Sequence, residues 1–326
     1  MCSCNGQKGR NMDQKNTGRL KAHLAGMVFA VLVGFSFMSL KICVPIATPL
    51  QILSFRYTFA FLAAVLFLVL RINKVSYWNK PIMKVGLVVI CYVGFMVFQT
   101  LGMVFTSSVE GAILFAIVPV FTKIIARFVL GEKSTVLQEI FMWLSISALV
   151  LMIIMGASTI SFSIKGILLL AISSALISGS NVVMRQIKKI FTPIEITLAI
   201  VISGFLFFNT VTLVHGLATD TLDDYFALFG NTKFLLATAY LGIFCIMFTA
   251  QLMSFMMAHM PAVQGTLYGN VSTAISIIAG TILLSEPLQA YHIICAGLII
   301  TGVVGISLSG NKQQNPILKN HNRQKH

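Results

Sequence analysis

Few side chains in this sequence carry charge where charge is costly, and chemistry would have to start from those few. Arg56 stands inside an apolar run that opens at Pro49, about seven residues, or roughly 10 Å along a helix, from the end of the run. A guanidinium there can attract a solute carboxylate or bond a helix-end carbonyl. Glu110, at the start of another apolar run, is the acid placed to couple proton movement, if burial lifts its pKa toward neutrality. Lys41 and Arg185 sit near the ends of two further runs, where long basic side chains can snorkel to the headgroups.

Uncharged polar residues form helical stripes. Tyr92, Met96, Gln99 and Met103 share one face, and so do Tyr240, Phe244, Met247 and Gln251. Ser174, Ser178, Asn181 and Arg185 recur at i, i+4, i+7 and i+11. Gln264, Tyr268 and Ser272 take one face of a later run, with Thr266, Asn270 and Thr273 on another. Each polar group costs free energy in lipid unless it meets protein or water. The candidate substrate-binding set is therefore Arg56, Tyr92, Gln99, Asn181, Gln251, Tyr268 and Asn270, walling a cavity for a small amphipathic solute, with Glu110 as the coupling candidate. The competing use of the same groups is interhelical hydrogen bonding, worth about 0.6 kcal/mol each.

No catalytic or metal set emerges. An enzyme acting on lipid-linked substrates needs paired acids or a His/Asp cluster at one membrane face, and Asp220, Asp223 and Asp224 have only Lys233 near them. Cys2 and Cys4 lack the further ligands a structural zinc requires. Without a Walker sequence, ATP-driven pumping by this chain alone is not expected, nor is any cofactor.

Holding these residues in place requires spanning elements, and the bulk of the chain supplies them. Apolar residues make up 57% of the 326 positions and charged residues 10%, with a mean hydropathy of +0.91, against roughly 25% charged in a soluble domain. A water-soluble globular protein is excluded. Apolar runs long enough to cross ~30 Å of hydrocarbon fall at 22–43, 49–70, 82–104, 109–130, 136–156, 166–186, 193–215, 233–256, 261–284 and 288–309. The first is too long for the core of a secretory signal. Glu132 and Glu286 read as carboxylates that open helices. Although 23 Lys and Arg against 9 Asp and Glu give a net charge of +14, the basic residues stand between apolar blocks, which fits membrane orientation and not nucleic-acid binding. With the N-terminus inside, 19 of the 23 fall on the inner side. Both termini are expected in the cytoplasm, and short loops favour a bacterial inner membrane.

The runs repeat. At an offset of 144, Leu24, Lys41, Pro49, Phe61 and Leu62 match Leu168, Arg185, Pro193, Phe205 and Leu206; at 154, Gly111, Glu132, Leu144 and Gly156 match Gly265, Glu286, Leu298 and Gly310. Five spans per half is an odd number, so the second half enters the bilayer inverted, as in alternating-access carriers. The expected fold is an all-α integral membrane protein with ten transmembrane helices in two five-helix inverted repeats. Its expected divisions are a basic tail at 1–20, repeats at 21–156 and 157–310, and a second basic tail at 311–326.

With the ten-span twofold layout, the Pro49 to Arg56 opening of span two, the stretch from Pro119 to Glu132 and the end from Glu286 to Gly302, the chain resembles the EamA-type transporters of the drug/metabolite transporter superfamily. The resemblance covers about Leu20 to Ser309. It implies a small-solute carrier, in many members an exporter of amino acids, metabolites or drugs, with a central cavity between the halves. It also implies a scaffold role for the matching arginine. Thr273 stands where the first half has Pro119, and Ile200 where it has Arg56, so roles do not transfer between halves. The leading expectation is an exporter of small amino-acid-like or amphipathic metabolites, acting alone or as a homodimer. An importer or exchanger of an anionic metabolite and, outside transport, a membrane sensor or assembly factor are the alternatives.

Overall fold

The computed structural model describes residues 20–69, 75, 77, 80–131, 135–156, 163–285, 288–302 and 304–305. The tails, with Cys2 and Cys4, and the helix-opening Glu132 and Glu286 lie outside the described residues. Among the described residues every regular element is helical, the longer ones being α1 Leu20–Cys43, α2 Pro49–Val69, α3 Ile82–Val104, α4 Ser108–Leu130, α5 Val136–Gly156, α6 Ile164–Ile187, α7 Pro193–Thr219, α8 Thr232–His259, α9 Ala262–Leu283 and α10 Ala290–Gly302, with a short helix Leu222–Ala227 and a 3-10 turn Leu228–Gly230 between α7 and α8. Eight of these are long and apolar enough over described residues to cross a membrane. At the fifth and tenth expected spans the described apolar stretches are shorter, Glu139–Ala148 and Ala290–Gly302.

Local chemistry sets the helix starts. Pro49 and Pro193 open α2 and α7, where a missing N–H costs nothing. Ser107 and Glu110 form a reciprocal capping box at α4, and Thr192 and Glu195 form another at α7. Asn231 caps α8 by accepting from the Phe234 N–H at 3.1 Å.

Three helices are interrupted along their length. A turn at Phe35 breaks α1. In α4 the break falls between Phe115 and Val118, just before Pro119, whose ring cannot continue the ladder. In α9 it falls at Leu267. A fourth helix, α8, winds as a π-helix from Tyr240 to Phe248, a form that recurs at functional sites.

The two five-helix sets interlock: α3 packs on α6, α1 on α8, α2 on α7 and α4 on α9. Phe61 of α2 stacks on Phe205 of α7, its own match at the 144-residue offset, with ring centroids 4.2 Å apart and planes 10° apart. Glycine permits the tightest approaches. A Cβ at Gly242 would sit 2.2 Å from the Arg56 carbonyl oxygen, and one at Gly204 would sit 2.0 Å from the Tyr57 ring. The outer surface carries exposed Leu62, Leu66, Leu206, Val214, Phe248 and Ile282, an apolar coat suited to lipid.

Candidate functional site

Near the breaks of α1 and α4, helices of the second half donate hydrogen bonds to backbone carbonyls. Near the α1 turn, the Leu32 carbonyl accepts from the Tyr240 hydroxyl at 2.7 Å and the Cys245 thiol at 3.4 Å, while the Gly34 carbonyl accepts from the Ser276 hydroxyl at 2.5 Å. Ser178 donates to the Val118 carbonyl at 2.9 Å and Ser174 to that of Leu114 at 3.5 Å, on either side of the α4 break. Thr273 donates to the Ala112 carbonyl at 3.0 Å.

Between these breaks lies a narrow chamber of about 50 Å³, room for a few waters. Both sets wall it. Phe29, Val33 and Ser36 come from α1, Arg56 from α2, Tyr92, Phe95, Met96 and Gln99 from α3, and Phe115 and Val118 from α4; α6 adds Ile177 and Asn181, α8 adds Cys245, Thr249 and Met253, and α9 adds Thr266 and Gly269. Arg56 is 2% exposed. Its Nη2 reaches only the Met96 sulfur at 3.5 Å, and its Nε and Nη1 have no hydrogen-bond partner. Asn181 is fully buried, and both ends of its amide lack a partner.

A wider cavity of about 1080 Å³ lies at the Pro49 end of the bundle, between the α1–α2 corner, α3, α7 and the linker to α8. Thr48, Gln51, His215, Asp224 and Tyr225 give it polar groups. At the opposite end, Lys80 holds both Glu195 carboxylate oxygens at 2.8 and 2.6 Å, and the Tyr77 hydroxyl donates to the Glu195 carbonyl at 2.6 Å. Burial and the Glu195 charge push the Tyr77 hydroxyl up to about 12, which keeps it a donor. This contact pins the stretch before α3 to the start of α7.

Of the residues expected to bind solute, Arg56, Tyr92, Gln99 and Asn181 meet at the chamber. Asn270, next to the chamber-lining Gly269 in α9, is buried with its amide unpartnered. Tyr268 instead binds the His23 ring at 2.6 Å, and Gln251 accepts from Thr197 at 3.1 Å. Glu110 is buried in its capping box, accepting from the Ser107 N–H at 2.9 Å, away from the chamber lining. Ser107-x-x-Glu110 and Thr192-x-x-Glu195 carry the capping signature in sequence, so both roles could have been read there. Cys245, Thr249 and the α1 residues were not singled out in sequence. In a π-helix the period of 3.6 fails, and the expected inward Phe244 is 41% exposed.

Lys41 and Arg185 perform matching tasks. The Lys41 ammonium donates to the Met103 and Thr106 carbonyls, at 3.2 and 2.5 Å, at the end of α3. Arg185 donates to the Met257 carbonyl at 3.3 Å and to that of Met260, at the end of α8.

A family model for EamA-like transporters matches residues 20–154 and again residues 164–308. An uncharacterized transporter of Bacillus subtilis (strain 168), YcxC, is 32% identical over 294 residues, covering 90% of this chain and 94% of that protein. An uncharacterized transporter of Archaeoglobus fulgidus is 25% identical over 273 residues, 83% of this chain and 92% of its own. A crystal structure with 15% identity superposes at a TM-score of 0.66, covering 91% of this chain and 100% of the other, a likeness of fold alone.

Proposed function

This chain belongs to the EamA-like transporter family, and on that premise we propose that it is a secondary carrier exposing its chamber to either side of the membrane in turn. It is a multi-pass membrane transporter and not an enzyme. The observation that carries the alternating-access reading is a chamber walled by both five-helix sets, with the wall helices α1, α4 and α9 broken beside it. At about 50 Å³ it is too small for a metabolite as it stands, against the 300 to 1,000 Å³ usual for ligand pockets. Relative movement of the two sets would enlarge it, and the cavity of about 1080 Å³ at the Pro49 end provides a vestibule.

The reading takes residues 21–156 and 157–310 as inverted repeats, with α5 and α10 completing ten spans and both tails in the cytoplasm. The stacking of Phe61 on Phe205 supports a twofold relation, because a residue that touches its own match lies at the axis relating them. The cargo is a small amphipathic metabolite, and export across the bacterial inner membrane is the direction proposed. Counterflow in proteoliposomes tests this. Vesicles containing the protein and loaded with unlabelled solute should accumulate labelled solute above protein-free vesicles. Equal uptake by both for every solute class would reject a carrier. Light scattering of the detergent complex decides monomer against homodimer.

A further inference from the structure

A guanidinium is charged at every physiological pH, and one buried without a partner is among the costliest groups a membrane helix can carry. Arg56 is in that state. Its neighbours are the thiols and phenols of Cys43, Cys245, Tyr57 and Tyr92, groups neutral near pH 7. Met96 offers only a weak sulfur acceptor. Among the described residues lining the chamber there is no aspartate or glutamate. Of the other described acids, Glu110 is held in its capping box, Glu195 by Lys80 and Glu139 by Arg127 at 2.8 Å, while Asp220, Asp223 and Asp224 stand between α7 and α8 and do not line the chamber.

We infer that Arg56 binds the carboxylate of the transported solute, and that this solute is a monocarboxylate with an apolar or aromatic body and no ammonium group. The inference rests on the carrier reading above and names its substrate class. A carboxylate matches the guanidinium fork with two parallel N–H···O bonds and cancels its charge. One cation balances one negative charge, which favours a carboxylate over a phosphate dianion. Phe29, Phe95, Phe115, Val118 and Ile177 supply apolar surface for the body of the solute. Asn181, with donor and acceptor both unused, can hold a neutral hydroxyl or carbonyl on that body. An ammonium group would meet no carboxylate there, so the amino acids expected from sequence become poorer cargo than the corresponding acids.

The test is counterflow with matched probes sharing one body: 3-phenylpropionate, its amide, the corresponding amine and phenylalanine, alongside nucleobases and sugars as unrelated classes. Wild type should exchange the acid at least tenfold faster than the other three. Arg56→Gln should lose that preference while its thermal midpoint without ligand stays level or rises, since an unpaired charge has been removed. Arg56→Lys, which keeps the charge and loses the fork, should fall between the two. Should the glutamine variant not fold, the wild-type ratio of acid to amide and the lysine variant still decide. Equal exchange of acid and amide, undiminished acid preference in Arg56→Gln, or phenylalanine exchanged as fast as the acid would overturn the inference. Exchange of only an unrelated class would overturn it while leaving the carrier reading intact; exchange of nothing would remove both.

Discussion

Lys41 and Arg185 occupy matching places in the two halves of the chain and do the same work: each reaches past the end of its own helix to the last carbonyls of the third helix in its half. Arg56 and Ile200 also occupy matching places and do not. Arg56 projects a charge into the chamber, whereas Ile200 is fully buried and absent from the lining. The repeat thus persists where a helix end needs closing. It differs at Arg56 and Ile200, and the proposed carboxylate site gives a reason, because an asymmetric solute would need its charged group met once. Two arginines facing one small cavity would repel each other.

The largest break in this comparison would come from restoring symmetry. Ile200→Arg places a charge in a fully buried site with no partner, and about 3 kcal/mol of stability should be lost. Urea unfolding in detergent would measure it, and paired with Arg56→Gln it should not restore solute exchange. Next comes Gly242→Ala, whose methyl would press on the Arg56 carbonyl oxygen and part α8 from α2. Overpacking of this kind costs about 2 kcal/mol, whereas Gly297→Ala, with open space around it, should be neutral or slightly stabilising in the same assay.

The sharpest test of equivalence pairs Lys41→Met with Arg185→Met. Each removes charged hydrogen bonds to two carbonyls, about 2 kcal/mol, and thermal shifts of similar size are expected from the two. A large loss in one half only would mean that the matching side chains have different roles. The smallest effect should follow Ser178→Ala, whose single hydroxyl proton is shared between the Val118 carbonyl beside the α4 break and the Ser174 carbonyl of its own helix, about 0.6 kcal/mol.

Much of this architecture was legible because lipid imposes strict periodicity. The α3 stripe put Tyr92, Met96 and Gln99 on the chamber wall, since polar residues stand out against an apolar run that keeps the α-helical period. The Ser174 to Arg185 stripe of α6 also faces inward, but its members divide among a broken helix, the chamber and a helix end. That division depends on tertiary neighbours. Pro119 announces the α4 break, whereas the α9 break has no proline to announce it. The π-helical turn of α8 shifts its inward face to Cys245, Thr249 and Met253. Phe29 and Val33 of α1 offer no polar contrast to read.

Thr249 lies on the α8 wall of the chamber, so it reports most directly on whether that chamber opens to both sides. Thr249→Cys, in a chain with its native cysteines replaced, would be treated with a membrane-impermeant thiol reagent from one face of oriented vesicles and then from the other. Alternating access requires labelling from both faces, with protection from each by a transported solute. Labelling from one face only, or from neither while flux persists, would contradict it.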